Sequence, residues 1–319
     1  MSSNEQLYEK ISKSVAQHEQ DLADICKKIH ENPEFNYKEF KAHDNICDLM
    51  HRLGYNVKRS AYGIQTSFEV ESGQNGKLIV FNAEYDALPG LGHACGHNLI
   101  ATSSIAAFIA TAETIRSLNI PGRVRLLGTP AEEGGGGKVH LIKAGAYEGV
   151  DACLMAHPTG KLSPQGEKNI DGVSAARSKT KITWSFDRTC PCRTSLQNTC
   201  KPLDEITSET QINHQWAHQQ TWASPPPPQP SARLTFSGNV TYCVPGIHPM
   251  FAVGTQDPMI QPHTPKFAEA AGTREAFERA LDCAKGLAAT ACEMLLESGL
   301  MDQARDEFKR DVEPIGYRL

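Results

Sequence analysis

One short stretch of the chain, residues 82–98, concentrates the side chains that can bind metal and move protons. It contains two carboxylates, one thiol and two imidazoles, which belong to Glu84, Asp86, His93, Cys95 and His97. A thiolate close to imidazole groups is a donor set that suits zinc or a similar divalent transition metal. We therefore expect this stretch to form part of a metal site.

Later positions add donors of the same kind. Glu132 and Glu133 precede four consecutive glycines. His157 is followed by Pro158, and His263 is preceded by Pro262. Taken singly, Cys95 could be a small buried hydrophobic residue and the two glutamates a solvated acidic pair. The glycine run lacks the Gly-Lys-Ser/Thr ending of a phosphate-binding loop. Taken together and in this order, these residues indicate a metal site.

The apolar segments before these residues predict how they are positioned. Segments 77–81, 123–127 and 151–155 are rich in strand-forming residues, and each runs directly into one of the polar clusters. Helical segments are predicted between them, at 99–118 and 137–146. This alternation predicts an α/β fold with a mostly parallel, helix-covered sheet. The polar clusters would then meet at the carboxyl ends of the strands.

The flanking parts of the chain carry weaker patterns. An apolar stripe over residues 4–31 predicts one amphipathic helix that ends at Asn32 and Pro33. The remaining predicted elements are a helix over 37–53, a hairpin or edge strand within 56–70, strands at 238–245 and 248–253, and helices over 266–297 and 301–311.

Segment 185–233 differs from the rest in composition. It contains seven prolines, of which four form the run 225–228, and it has no glycine and no valine. Such a segment buries too little apolar area to offset the entropy lost on ordering, so we predict that it is disordered. The proline run could also serve as an SH3-type ligand in a scaffold.

Charge and composition narrow the classes of partner. The net charge of −5 gives no sign of nucleic-acid binding. The sequence contains no run of 18 apolar residues, so it predicts no membrane span. The N-terminal residues are polar and lack the apolar core of a signal peptide. The ten cysteines are therefore expected to be reduced thiols. We predict a cytoplasmic protein with no nucleic-acid partner and no membrane partner.

In combination, the motifs resemble the M20 family of metallopeptidases and amidohydrolases. The resemblance rests on Gly-His-Ala-Cys-Gly-His-Asn, on Thr-Pro-Ala-Glu-Glu-Gly-Gly-Gly-Gly-Lys and on Met-Ala-His-Pro. Near the C-terminus, Gly246-Ile-His-Pro and His263-Thr-Pro extend it. The resemblance covers residues 5–183 and 237–312.

The resemblance implies two divalent metal ions, usually zinc, with cobalt or manganese possible. Cys95 would bridge the metals, and the other implied ligands are His97, Glu133, His157 and His263. Glu132 would be the general base, and Asp86 would orient a ligand imidazole. The implied reaction is hydrolysis of an amide bond in a dipeptide or N-acyl amino acid by metal-activated water.

The resemblance also implies an inserted lid domain that dimerises the protein and supplies a histidine to the reaction. Residues 172–183 resemble the start of such a lid, but its Gly-Lys-x-x-His motif is absent. We therefore expect a catalytic domain formed by 1–171 and 237–319, with a Pro-rich, disordered lid remnant at 172–236. A family-type homodimer is in doubt for this reason. The alternative function is a catalytically impaired relic, or a metal- or product-binding protein, that keeps the M20 core without a working lid.

Overall fold

The structure is a computed structural model, which describes residues 3–160, 240–255, 257 and 260–312. The predicted disorder of 185–233 and the predicted lid remnant at 172–236 lie outside these residues.

A six-stranded sheet forms the centre of the fold. Its strands are β1 (Val57–Arg59), β2 (Phe68–Gln74), β3 (Leu78–Ala83), β4 (Gly122–Gly128), β5 (Ala152–Leu154) and β7 (Gly246–Ile247). They are ordered β1-β2-β4-β3-β5-β7. The pairs β3–β4, β3–β5 and β5–β7 are parallel, whereas β2 runs antiparallel to β1 and β4. Two further strands, β6 (His157–Thr159) and β8 (Met250–Ala252), form a small parallel sheet.

Helices cover this sheet. They are α1 (Ser3–Gln17), α2 (Glu19–Glu31), α3 (Phe40–Arg52), α4 (His97–Leu118), α5 (Glu132–Gly135), α6 (Gly137–Lys143), α7 (Pro265–Ala271), α8 (Arg274–Leu296) and α9 (Ser298–Val312). The prediction of an α/β fold with a mostly parallel, helix-covered sheet is confirmed.

Three predicted elements differ from the structure. The single helix expected over 4–31 is two helices that separate at His18, whose imidazole lies 3.0 Å from the Glu113 carboxylate on α4. The helix expected over 266–297 is interrupted before Thr273, whose hydroxyl accepts a hydrogen bond from the first turn of α8. The strand expected at 238–245 was wrong, because Val240–Tyr242 forms a 3-10 turn and the strand begins only at Gly246.

Helix α4 lies at the core of the fold. It packs against α1, α2, α8 and strand β3, and alanines at several of its positions allow these neighbours to approach closely. Within the described residues it is the one helix long and apolar enough to cross a membrane by length and composition. The apolar window is 94% buried inside the protein, which is also how a core helix behaves.

We expect Phe108→Ala to lower the free energy of unfolding by about 3–5 kcal/mol, because it leaves a cavity in this core. The Phe108 ring is fully buried on α4 and meets the Tyr55 ring edge to face, with 5.1 Å between centroids. Urea denaturation followed by circular dichroism measures the change. Leu296→Ala is the control, because Leu296 is 51% exposed at the end of α8 and should change stability by about 0.5 kcal/mol or less. Equal effects of the two substitutions would contradict the packing assigned to α4.

Candidate metal centre

Three loops at the carboxyl ends of adjacent parallel strands build the centre. Strand β3 ends at Ala83 and leads to Glu84 and Asp86, β4 leads to Glu132, and β5 leads to His157. The loop after β3 continues to α4, which begins at His97. The predicted meeting of polar clusters at this edge of the sheet is what the structure shows.

His263 reaches the same place from the C-terminal part of the chain. Its backbone N–H donates to the Ala94 carbonyl, with 2.7 Å between N and O, and this places its ring beside Cys95. His263 has a positive φ of 67°, an uncommon conformation for a residue other than glycine. With 54% of its side chain exposed, it lies on the solvent side of the centre.

The five predicted metal ligands form two donor groups that share one thiol. The first group is Cys95, His97 and His157, and the second is Cys95, Glu133 and His263. Within each group the potential ligand atoms all lie within 4.8 Å of one another. The structure therefore brings together every residue of the predicted ligand set.

One distance between donor atoms in each group is close to that between two ligands of one tetrahedral ion. Cys95 Sγ lies 3.4 Å from His157 Nε2, and Glu133 Oε1 lies 3.2 Å from His263 Nε2. Two ligands of one tetrahedral zinc ion are about 3.3–3.6 Å apart, given bond lengths of about 2.0–2.3 Å. The side chains present thus form two candidate groups of metal ligands.

His97 is oriented for binding a metal through one nitrogen. Its ring is fully buried, and Nδ1–H donates to Asp86 Oδ1 across 3.0 Å. Its other nitrogen, Nε2, makes no hydrogen bond with any described residue, although Glu84 Oε2 lies 3.4 Å away. A buried imidazole nitrogen without a hydrogen bond is costly, and a cation bound in that direction would offset the cost.

Asp86 orients two of the proposed ligands at once. In addition to the bond with His97, its second oxygen accepts the backbone N–H of Glu133 across 2.8 Å. Burial opposes ionisation of Asp86, but the neighbouring His97 holds the pKa of its carboxyl below the usual range. Asp86 thus contacts the His97 imidazole, the position from which the family resemblance implies that it would orient a ligand.

Two of the other donors, Cys95 and His157, lie in buried surroundings that disfavour their charged forms in the metal-free protein. Burial raises the pKa of the Cys95 thiol to about 12 and lowers the pKa of His157 to about 4. His157 Nδ1 donates to the Pro158 carbonyl across 2.6 Å, which leaves Nε2 facing Cys95. His93, also in the first motif, is buried but stands outside both donor groups and stacks on His30.

The four glycines belong to the geometry of the loop rather than to a phosphate site. Gly134 and Gly136 have φ values of 92° and 65°, which glycine adopts at little cost. A Cβ at Gly137 would come within 1.8 Å of the Pro130 carbonyl oxygen. The run therefore lets the chain turn sharply between Glu133 and helix α6.

Two charged residues at the centre have no role predicted from the sequence. Glu84 and Lys138 are both buried, and Lys138 Nζ lies 2.6 Å from Glu84 Oε1. Burial opposes the charge on Lys138, but Glu84 and Glu132 raise the pKa of its ammonium group. Lys138 thus offsets part of the negative charge that the carboxylates concentrate here. The position of Lys138 directly after the four glycines is the sequence feature that could have indicated this role.

We expect Lys138→Met to lower the free energy of unfolding by about 3–5 kcal/mol, because it leaves the Glu84 carboxylate buried without its counter-ion. Chemical denaturation of the metal-free protein measures this loss. The double variant Glu84→Gln, Lys138→Met should recover part of it, since no unpaired charge then remains. If the double variant lost the sum of both single effects, the ion pair would not be the cause.

The family match described next covers the part of the chain that contains these motifs. The sequence profile described as peptidase family M20/M25/M40 matches residues 80–294. The Xaa-Arg dipeptidase of Mus musculus is 29% identical over 387 aligned positions, which cover 90% of this chain and 89% of that protein. The alignment is longer than the 319 residues of this chain, so the mouse protein has residues without a counterpart here.

Other similarities cover different shares of the chain. A p-aminobenzoyl-glutamate hydrolase subunit of Escherichia coli (strain K12) is 32% identical over 189 residues, covering 54% of this chain and 39% of that protein. The crystal structure of the Legionella pneumophila LapA aminopeptidase has a TM-score of 0.52 and 13% identity, covering 93% of this chain and 74% of that chain. At that identity the likeness is one of fold alone.

Proposed function

Since this chain belongs to peptidase family M20/M25/M40, whose members cleave amide or peptide bonds, we propose that it hydrolyses the amide bond of a dipeptide or N-acyl amino acid with the help of two divalent cations. The observation that carries the proposal is the pair of donor groups that share Cys95, with the Glu132 carboxylate beside them.

The donor sets favour zinc, with cobalt or manganese possible. One cation would be held by Cys95, His97 and His157, and the other by Cys95, Glu133 and His263. Soft thiolate and imidazole donors favour zinc, and three protein ligands per ion leave a position open for water or substrate. Bound cations would supply Lewis acidity, which lowers the pKa of water and polarises the substrate carbonyl.

Glu132 is the proposed general base. Its Oε2 lies 4.0 Å from His97 Nε2, and its side chain is 16% exposed, so a water molecule can reach it. Glu132 belongs to neither of the two donor groups that contain Cys95, although its carboxylate forms a third group of closely spaced donors with Glu84 and His97. Its carboxylate would take one proton from the attacking water. As the carbon–nitrogen bond breaks, it would return that proton to the leaving amine.

The preferred substrate class is a dipeptide. The mouse relative, an Xaa-Arg dipeptidase, aligns with 90% of this chain, whereas the p-aminobenzoyl-glutamate hydrolase subunit aligns with 54%. An N-acyl amino acid is the second choice, because it presents the same amide next to a carboxylate. The cytoplasmic location and the lack of nucleic-acid and membrane partners stay predictions.

A second candidate is a metal- or product-binding protein with impaired catalysis. It is favoured by the composition of 185–233, which does not continue the lid, and by the residues of the mouse protein without a counterpart here. Loss of one oxyanion donor typically lowers the rate by about 10²–10³-fold. Loss of a closing domain also removes substrate positioning and water exclusion. Both effects would leave the donor groups intact, and a family-type homodimer would be absent.

Metal analysis and activity on one sample separate these candidates. We expect about two zinc ions per chain, as a dinuclear hydrolase requires, together with dipeptide hydrolysis that a chelator abolishes. Metal without turnover above the chelated control would favour the second candidate. A folded protein with neither metal nor turnover would contradict the proposed site.

A further inference from the structure

The carboxylate of Glu39 lies beneath the loop that carries the proposed general base. Glu39 is fully buried at the start of α3. Its Oε1 accepts the backbone N–H groups of Tyr37 and Ala131, each across 3.0 Å, and its Oε2 accepts the Thr66 hydroxyl across 2.9 Å. All three are hydrogen bonds to parts of the chain other than the proposed metal ligands.

Ala131 needs such a contact because of its backbone conformation. Its φ of 55° and ψ of 45° lie in the left-handed region, which is unfavourable for alanine. A residue persists there only where its surroundings hold it in place. The bond from Ala131 N–H to Glu39 supplies that restraint directly before Glu132, and so it sets the direction in which Glu132 and Glu133 leave the loop.

Tyr37 restrains the other end of the same loop. Its hydroxyl donates to the Gly135 carbonyl across 2.7 Å. A Cβ at Gly135 would lie 2.5 Å from Ala131 Cβ and 3.1 Å from Tyr37 Cε2, so the ring and the loop are in close contact. The four residues of α5 are thereby held at both ends by the segment between α2 and α3.

The neighbouring loop is tied to the same segment. The Ala87 N–H donates to the Glu34 carbonyl across 2.7 Å, one residue after Asp86. The Glu34 side chain in turn accepts the backbone N–H groups of Lys41 and Ala42 in the first turn of α3. The segment therefore fixes two of the loops that carry the centre relative to each other.

We propose that Glu39 is a positioning residue, which acts through the Ala131 backbone to hold Glu132 and Glu133 in their working geometry, with Tyr37 securing the far end of the loop. The role in turnover rests on the proposed function, whereas the restraint on the loop does not. Displacing a reacting group by about 1 Å can lower a rate by about 10²-fold. Loss of groups that orient metal ligands typically weakens metal binding by about 10–100-fold.

The test compares two substitutions at one position. Glu39→Ala removes all three bonds, and we expect kcat to fall by about 10²-fold with little change in KM, and zinc affinity to fall by about 10-fold or more. Glu39→Gln should restore both, because its amide oxygen can accept both backbone N–H groups and its NH2 can donate to Thr66. Rescue by glutamine would show that geometry rather than charge is required.

Thr66→Val is the matched control for stability. It removes one hydrogen bond to the same carboxylate but leaves the bond to Ala131 intact, so kcat and zinc affinity should stay near wild type. Tyr37→Phe is the second variant, for use if Glu39→Ala does not fold. Tyr37 is partly exposed, and the loss of its hydroxyl releases only the Gly135 end of the loop.

Amide hydrogen exchange over residues 131–137 tests the restraint without metal or substrate. We expect Glu39→Ala to lose protection at Ala131 and Glu39→Gln to keep it. Unchanged protection in a folded Glu39→Ala protein would overturn the proposal, as would unchanged kcat and zinc affinity in an active enzyme. If wild-type protein bound no zinc and hydrolysed nothing, the proposed function would fail, while the exchange result would still decide the role of Glu39 in the loop.

Discussion

Glu132→Gln is expected to lower kcat for dipeptide hydrolysis by about 10²–10⁴-fold, the range that a positioned general base contributes. Glutamine has the shape of glutamate but cannot accept a proton from water. Because Glu132 lies outside the two donor groups that share Cys95, the variant should bind as much zinc as wild type. If Glu132 is the general base, the Glu132→Gln protein will therefore lose turnover while its metal content stays unchanged.

Steady-state kinetics and metal analysis on the same preparation measure both quantities. Glu148→Gln is the control, because it makes the same chemical change at an exposed glutamate beyond helix α6. An unchanged kcat for Glu132→Gln would remove Glu132 from the mechanism. Loss of zinc together with turnover would make Glu132 a ligand instead of a base.

Cys95→Ala is expected to affect both cations, because Cys95 is the residue that the two donor groups share. We expect the zinc dissociation constants to rise by more than about 10²-fold, the upper end of what loss of an outer-shell partner costs, and turnover to disappear. Titration against a chromophoric chelator measures the constants. Metal analysis after dialysis gives the number of ions retained.

Two further variants sharpen that result. Cys153→Ala removes another buried thiol from β5, outside both donor groups, and should leave the metal content unchanged. His263→Ala removes a donor from the second group alone and should release one ion while the other stays bound. If Cys95→Ala also released only one ion, the cysteine would not be the shared ligand.

The donors could be found from the sequence because ligand chemistry is a property of residue type. The loops that follow apolar segments contain the thiol, imidazole and carboxylate groups, and buried parallel strands have this apolar character. The order of strand and helix then places those groups at one edge of the sheet. Cys95 and His97 can be identified in this way without any measured distance.

The supporting residues could not be found in this way. Glu39 bonds Ala131 across 92 positions of sequence, and no local pattern connects the two. The break between α1 and α2 also lies at a residue with a distant contact, since the His18 imidazole lies 3.0 Å from Glu113 on a helix far along the chain. By contrast, the break before α8 had a local signal, since Gly272 and Thr273 are a typical helix end followed by a cap.

The strand pairing at the C-terminal edge has a consequence for how such proteins diversify. Strand β5 pairs with β7 and β6 with β8, so strands that end before position 160 are held by strands that begin after position 240. Lengthening a connection between fixed ends is inexpensive, about 0.6 kcal/mol for each doubling of a flexible loop. Descendants of one ancestor can therefore gain, lose or exchange sequence at this junction while inheriting the same set of ligands.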